Sequence, residues 1–195
     1  MTRKRVAILI SGRGSNMAAL IEAARAPDYP AEIVGVLSNR AAAPGLQTAA
    51  ANGIATASLA QSKFPSRDMF EDTMTQVLES WGADYVCLAG FMRILGEDFV
   101  NRWQGRMINI HPSLLPAYKG LNTHERALAD GATEHGCTVH FVTPGLDEGP
   151  AILQARVPVL PGDTPDTLSA RILVEEHRIY PEALRMLASG EAALA

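Results

Sequence analysis

Val6-Ala7-Ile8-Leu9-Ile10-Ser11-Gly12-Arg13-Gly14-Ser15-Asn16 runs from an unbroken apolar stretch through a glycine-rich turn into a segment of helical period. A strand apolar at every position suits the middle of a sheet covered on both faces. The pattern repeats along the chain. Apolar runs at 33–38, 54–58, 85–89, 107–110, 138–142 and 152–157 join the first at 6–11. Segments of helical period separate them, at 16–25, 44–52, 66–81, 97–103, 124–130 and from about 164 to 187. This alternation predicts an α/β fold, a sheet with helices packed on it. In the last helix Leu168, Ile172, Ile179 and Tyr180 mark a buried stripe, and Pro181 is expected to kink it or divide it in two. No repeat, low-complexity tract or long linker interrupts the pattern, so 1–195 reads as one domain. The small residues of the tail, 188–195, read as featureless and frayed.

Composition narrows the class. The chain has 195 residues, 47% hydrophobic and 19% charged, with a formal net charge of −4. That length buries enough surface to fold without disulfides or metal. Cys87 and Cys137 both lie in apolar stretches and read as buried thiols of a reducing compartment, so a cytoplasmic protein is expected. The acidic balance argues against nucleic-acid binding through bulk charge. The basic start before Val6 precedes too short an apolar run for a signal peptide, and no run is long enough for a membrane helix.

The loop Ser11 to Asn16 offers the first chemistry. Its glycines let backbone amides approach an anion, and the helix that follows adds partial positive charge. As a dinucleotide fingerprint it fails: Met17 stands where the third glycine belongs, and Ser38-Asn39-Arg40 supplies no acidic residue for a ribose. A single phosphate, as on a phosphoribosyl group, suits it better. The alternative is a plain strand-to-helix turn capped by Ser15 or Asn16.

Asn109-Ile110-His111-Pro112-Ser113-Leu114-Leu115-Pro116 offers the second. Asn109 and His111 stand two apart at a strand end, so their side chains share a face. An amide donor beside an imidazole can stabilise an oxyanion and move a proton; a histidine ending a strand can equally be structural. A carboxylate from the turn Thr143-Pro144-Gly145-Leu146-Asp147-Glu148-Gly149-Pro150 would favour the imidazolium, yet such a turn can also be merely solvated. His135, Cys137 and His140 cluster without zinc-type spacing, so no metal is expected and His140 reads as a core histidine or one supporting the site. Ser113 lacks the elbow of a serine nucleophile.

Several blocks together resemble the phosphoribosylglycinamide formyltransferases of the folate-dependent formyltransferase superfamily. They are Ile10-Ser11-Gly12-x-Gly14-Ser15-Asn16, Leu88-Ala89-Gly90-Phe91-Met92-Arg93-Ile94-Leu95, Asn109 to Pro116, Val139-His140-Phe141-Val142, Asp147-x-Gly149-Pro150 with Ile152-Leu153-Gln154, and Glu176-His177-x-Ile179-Tyr180-Pro181. The resemblance spans nearly the whole chain in the family's order. It implies a mostly parallel twisted sheet flanked by helices, with a Rossmann-like, mononucleotide-binding N-terminal half and a folate-binding C-terminal half. It implies transfer of a formyl group from 10-formyltetrahydrofolate to the amine of glycinamide ribonucleotide in purine biosynthesis, by one catalytic domain with small-molecule partners only, as monomer or homodimer. It carries over Asn109, His111 and Asp147 as the catalytic set. Gly14, Ser15, Asn16 and Glu176 would hold the ribonucleotide; Arg67, Met92, Arg93, Ile94, Leu95, Asn109, Thr143 and Asp147 would line the folate site.

Two positions depart from the pattern. Arg13 occupies a variable place in the phosphate loop, and Leu173 stands where a polar substrate contact can occur, one turn before Glu176. Methionyl-transfer-RNA formyltransferase and formyltetrahydrofolate deformylase share the central chemistry, but each carries a further domain that this length does not accommodate. A non-catalytic nucleotide-binding module would be expected to have lost part of the trio.

Overall fold

In β1 (Lys4–Ile10) Val6, Ile8 and Ile10 enter one buried cluster, Ala7 and Leu9 another. Successive side chains of a strand point to opposite faces, so this strand carries two cores at once. The computed structural model describes residues 2–194. Along them follow α1 (Ser15–Ala23), β2 (Ala31–Ser38), α2 (Pro44–Ala51), β3 (Ala55–Ser58), α3 (Arg67–Ser80), β4 (Tyr85–Leu88), α4 (Glu97–Arg102), β5 (Met107–His111), α5 (Thr123–Ala129), β6 (Glu134–Phe141), β7 (Ala151–Pro158) and α6 (Pro165–Ser189).

The strands form one 7-stranded sheet in the order β3-β2-β1-β4-β5-β6-β7. Pairings from β3 through β5 are parallel, and those of β5 with β6 and of β6 with β7 are antiparallel. One face is covered by α1 and α6 through Met17, Leu20, Leu168, Ile172, Ile179 and Leu187. The other is covered by α3 and α4, where Phe70, Met74 and Leu78 repeat every four residues as a helix stripe requires. Ser66 starts α3 by accepting the Met69 N–H, and Thr164 caps α6 ahead of Pro165.

The expected elements all form, with four differences. First, β6 starts at Glu134 rather than 138, because Glu134 to Cys137 pair with β7 while their polar composition hides the strand. Second, β3 is an edge strand of small, mostly exposed side chains, not a buried central one. Third, Pro181 does not divide α6, which runs unbroken to Ser189. A mid-helix proline costs about 3 kcal/mol; here a buried stripe on both sides of it and the Tyr29 hydroxyl donating to the Pro181 carbonyl hold the helix in place. Fourth, the tail is tied down: Arg185 bridges Glu182 and Glu191, and Leu194 packs on the core. Ala195, also read as frayed, lies outside the described residues.

From β1 the chain steps outward to β2 and β3, then returns to β4 on the opposite side of β1. The strand order therefore reverses between β1 and β4, and sheets of this kind bind ligands in the crevice beyond the carboxyl ends of such strands.

Candidate active site

A cleft of about 220 Å³ opens at that point, lined by Gly12, Arg13, Gly14, Ser15, Asn16, Ala89 and Gly90. Gly14 is the residue before α1 and has φ 70, a left-handed conformation that glycine adopts without strain. A Cβ there would stand 3.0 Å from the Met17 side chain. The alternative of a capped turn does not hold: neither Ser15 nor Asn16 caps α1, which has no side-chain cap. The first amides of the helix thus remain available to an anion, and the helix dipole favours one there. Arg13, on the rim, is exposed and forms no ion pair among the described residues.

Asn16 turns inward instead. Its Nδ2 donates to Glu176 Oε2 at 2.8 Å, while its Oδ1 is buried without a partner among the described residues. Burial raises the Glu176 pKa, opposed by the Asn16 hydrogen bond and by His111. A buried acceptor left open like Asn16 Oδ1 would be satisfied by a hydroxyl or amine donor. Leu173, one turn earlier on α6, is half-buried and adds no polar group.

The catalytic candidates converge deeper in the sheet. Asn109 and His111 lie on β5, which extends through His111, and Asn109 sits directly opposite His140 of β6. His140 Nδ1 lies 2.8 Å from the Phe141 carbonyl, which only accepts, so Nδ1 carries the proton. Burial lowers the His140 pKa and keeps the ring neutral. Its bare Nε2, 3.3 Å from Asn109 Nδ2, then accepts one amide hydrogen and leaves the other free. The neutral ring also makes the 3.9 Å approach of His140 Nε2 to Asp147 Oδ1 something other than an ion pair.

His111 is 6% exposed. Its Nε2 meets the Tyr118 carbonyl at 2.9 Å, and its Nδ1 lies 3.5 Å from Asp147 Oδ2. Both ring nitrogens face acceptors, an arrangement that a doubly protonated imidazolium satisfies. Asp147 has φ 49, and the Gly120 N–H donates to its Oδ2 at 2.9 Å. Two residues on, a Cβ at Gly149 would fall 1.7 Å from the Phe141 carbonyl, so only glycine lets the acidic turn fold back this tightly. The turn is therefore more than a solvated surface loop. His140, Tyr118 and Gly120 complete the cluster.

Of the expected folate residues, Asn109 and Asp147 belong to this cluster. Met92 and Ile94 are 59% and 77% exposed, so neither is part of the core. Arg93 is exposed as well, and Leu95 is half-buried against the α3–α4 core. Arg67, at the start of α3, has its Nε 3.9 Å from Glu71 Oε1. Glu71 is buried, which raises its pKa, and accepts the Gly96 N–H at 2.8 Å. Thr143 is half-buried at the base of the acidic turn. Arg67 thus pairs with Glu71, which sequence reading missed, and not with the trio. Among the described residues no group of three His, Cys, Asp or Glu side chains could hold a metal ion.

The chain matches the family model described as Formyl transferase over residues 4–184. It is 48% identical over 185 residues to phosphoribosylglycinamide formyltransferase of Escherichia coli (strain K12), covering 95% of this chain and 87% of that protein. It is 51% identical over 192 residues to the trifunctional purine biosynthetic protein adenosine-3 of Bos taurus; that match covers 98% of this chain but spans only 19% of the relative's length. Its structure superposes on the crystal structure of phosphoribosylglycinamide formyltransferase from Brucella melitensis with a TM-score of 0.93, at 52% identity and with 100% of both chains covered.

Proposed function

The chain belongs to the formyl transferase family, and we propose that it transfers the formyl group of 10-formyltetrahydrofolate to the amine of glycinamide ribonucleotide, giving formylglycinamide ribonucleotide and tetrahydrofolate in de novo purine biosynthesis. The observation that carries this reading is the buried cluster of Asn109, His111, His140 and Asp147 beside a cleft whose helix amides are left uncapped. The similarity to transferases of this name over nearly the full chain supports it.

In this reading the loop Gly14, Ser15 and Asn16 holds the ribonucleotide phosphate, and Glu176 with Asn16 accepts hydrogen bonds from the rest of that substrate. The neutral amine attacks the formyl carbon and the carbonyl oxygen gains negative charge. The free amide hydrogen of Asn109 stabilises that oxygen, and His111 reaches it by giving up the longer of its two contacts, the 3.5 Å one from Nδ1 to Asp147, while Nε2 stays on the Tyr118 carbonyl. Asp147, its Oδ2 3.5 Å from His111 Nδ1, orients the imidazole. The amine then loses a proton, N10 of the folate gains one, and the bond from N10 to the formyl carbon breaks, so atoms and charge balance. Arg67 faces the carboxylate end of the folate, and Met92, Arg93, Ile94, Leu95 and Thr143 line its ring. The phosphate loop thus lies in the N-terminal half, while the folate site draws on both halves, with Arg67 and Met92 to Leu95 from the first and Thr143 from the second. Its free, buried Cys87 and Cys137, both pushed up to about 12 by burial, suit a cytoplasmic setting. No helix among the described residues is long and apolar enough to cross a membrane.

The test is ultraviolet difference spectroscopy with a 10-formyl folate and glycinamide ribonucleotide. Turnover that needs both supports the transferase; turnover without the ribonucleotide would make the protein a deformylase.

A further inference from the structure

We propose that Asn39 and Ser11 are positioning residues that hold the loop 91–96 in register with the phosphate loop, and so set the affinity for the formyl donor. The inference rests on the two-site reading above. Ser11 ends the apolar run of β1 and is 4% exposed; Asn39 follows β2 and is 8% exposed. The Ser11 hydroxyl donates to Asn39 Oδ1 at 2.5 Å and accepts the Met92 N–H at 2.8 Å. A hydroxyl has one hydrogen and two lone pairs. Because Asn39 takes the hydrogen, a lone pair must face Met92, and Asn39 thereby dictates the direction of the second bond. The neighbouring positions of β2, β1 and β4 in the sheet bring the three residues together.

Packing holds the loop only at its ends, where Phe91 and Leu95 are half-buried against the core. Met92, Arg93 and Ile94 between them are exposed, so burial does little to fix that middle stretch. Its recorded side-chain anchors are the Met92 N–H on Ser11 and, at the far end, the Gly96 N–H on Glu71. An exposed loop whose backbone is held by buried acceptors presents its side chains in one place without burying them. Ser11 also directly precedes Gly12 of the phosphate loop, so the same residue joins both halves of the crevice.

The experiment compares Asn39→Ala, Asn39→Asp and Ser11→Ala by the amide exchange rate of Met92 in the unliganded protein and by KM for each substrate. Asn39→Ala and Ser11→Ala should speed Met92 exchange and raise KM for the formyl donor by about three- to tenfold, the scale of one hydrogen bond. In Asn39→Ala, kcat and KM for the ribonucleotide should stay near wild type. Asn39→Asp keeps the acceptor and should restore both readouts. Unchanged Met92 exchange in Asn39→Ala and Ser11→Ala would overturn the proposal whatever the activity, and so would an Asn39→Asp variant as impaired as Asn39→Ala. If the wild-type protein failed to transfer formyl groups, the proposed function would fall while the exchange arm still decided the relay.

Discussion

The two ends of the crevice are built from different materials. At the carboxyl end of β1 the binding groups are backbone amides, released because Gly14 takes a left-handed turn and no side chain caps α1. At the end of β5 they are side-chain atoms, each with an assigned partner: Asn109 on His140, His111 on Tyr118 and Asp147, Asp147 on Gly120. An amide-built site survives most side-chain changes and fails when the backbone cannot reach its conformation. A site built from side chains fails on the exchange of a single atom and leaves the fold intact. In the proposed function the first kind governs binding and the second governs rate.

The sharpest division should come from the side-chain end. Asn109→Ala should cost about 3 kcal/mol of transition-state stabilisation, the scale of one oxyanion donor, and His111→Ala at least as much. The double variant should lose less than the sum because both serve one developing charge. Steady-state kcat with both substrates saturating reads this; a loss confined to KM would reassign the pair to binding.

Next comes acid. Burial lowers the pKa of His124 and His140, and that of His135 to about 4. Each is a group whose folded pKa lies below its unfolded value near 6.5. The stability it contributes is complete above that value and is lost as pH falls toward the folded one. Glu71 and Glu176 run the opposite way, since their raised pKa values favour the folded protein at low pH and that contribution fades as pH rises through them. His135 is 1% exposed and its Nε2 has no partner among the described residues. Protonating it should cost up to about 3 kcal/mol by pH 4. His135→Phe, which keeps a ring against Tyr118 and His124, should flatten the acid limb of a denaturation series from pH 7 to 4. An unaltered limb would show that another group sets it.

At the amide end, Gly14→Val must force a side chain into the left-handed region at about 1–2 kcal/mol. KM for the ribonucleotide should rise roughly tenfold while folate binding holds; equal weakening of both would mean general disruption. Smallest is Arg67→Ala, since its guanidinium is exposed and an exposed charge pair is worth about 1 kcal/mol or less. It should weaken a folate more than the same compound without its glutamate, in direct titration. Equal losses would remove Arg67 from the site.

What could be read from the residues follows the same division. Strand and helix identities were legible because burial on two faces leaves unbroken apolar runs such as Val6 to Ile10, and because Phe70, Met74 and Leu78 keep a helical spacing. Asn109 and His111 announced themselves by standing two apart on one strand. The partners that orient them did not. Tyr118 and Gly120 act through backbone atoms, which carry no residue signature, and the link of His140 to Asn109 depends on an antiparallel register that only folding defines. Nothing in the sequence sets Glu71 apart from the other acidic residues of α3; only the folded chain puts the Gly96 N–H on its carboxylate. Ser38-Asn39-Arg40, where β2 ends, shows in the sequence only that an acidic ribose contact is missing; the hydrogen bond of Asn39 to Ser11 depends on β1 and β2 lying side by side.

The most direct test is single-turnover difference spectroscopy of the wild type and Asp147→Asn with both substrates saturating. Asp147→Asn removes one charge with almost no change of shape. The expected result is a wild type that releases tetrahydrofolate only when the ribonucleotide is present, and a variant that binds both ligands as tightly but turns over roughly 100-fold more slowly or worse. An Asp147→Asn variant that kept the wild-type rate would contradict catalysis by the Asn109, His111 and Asp147 cluster.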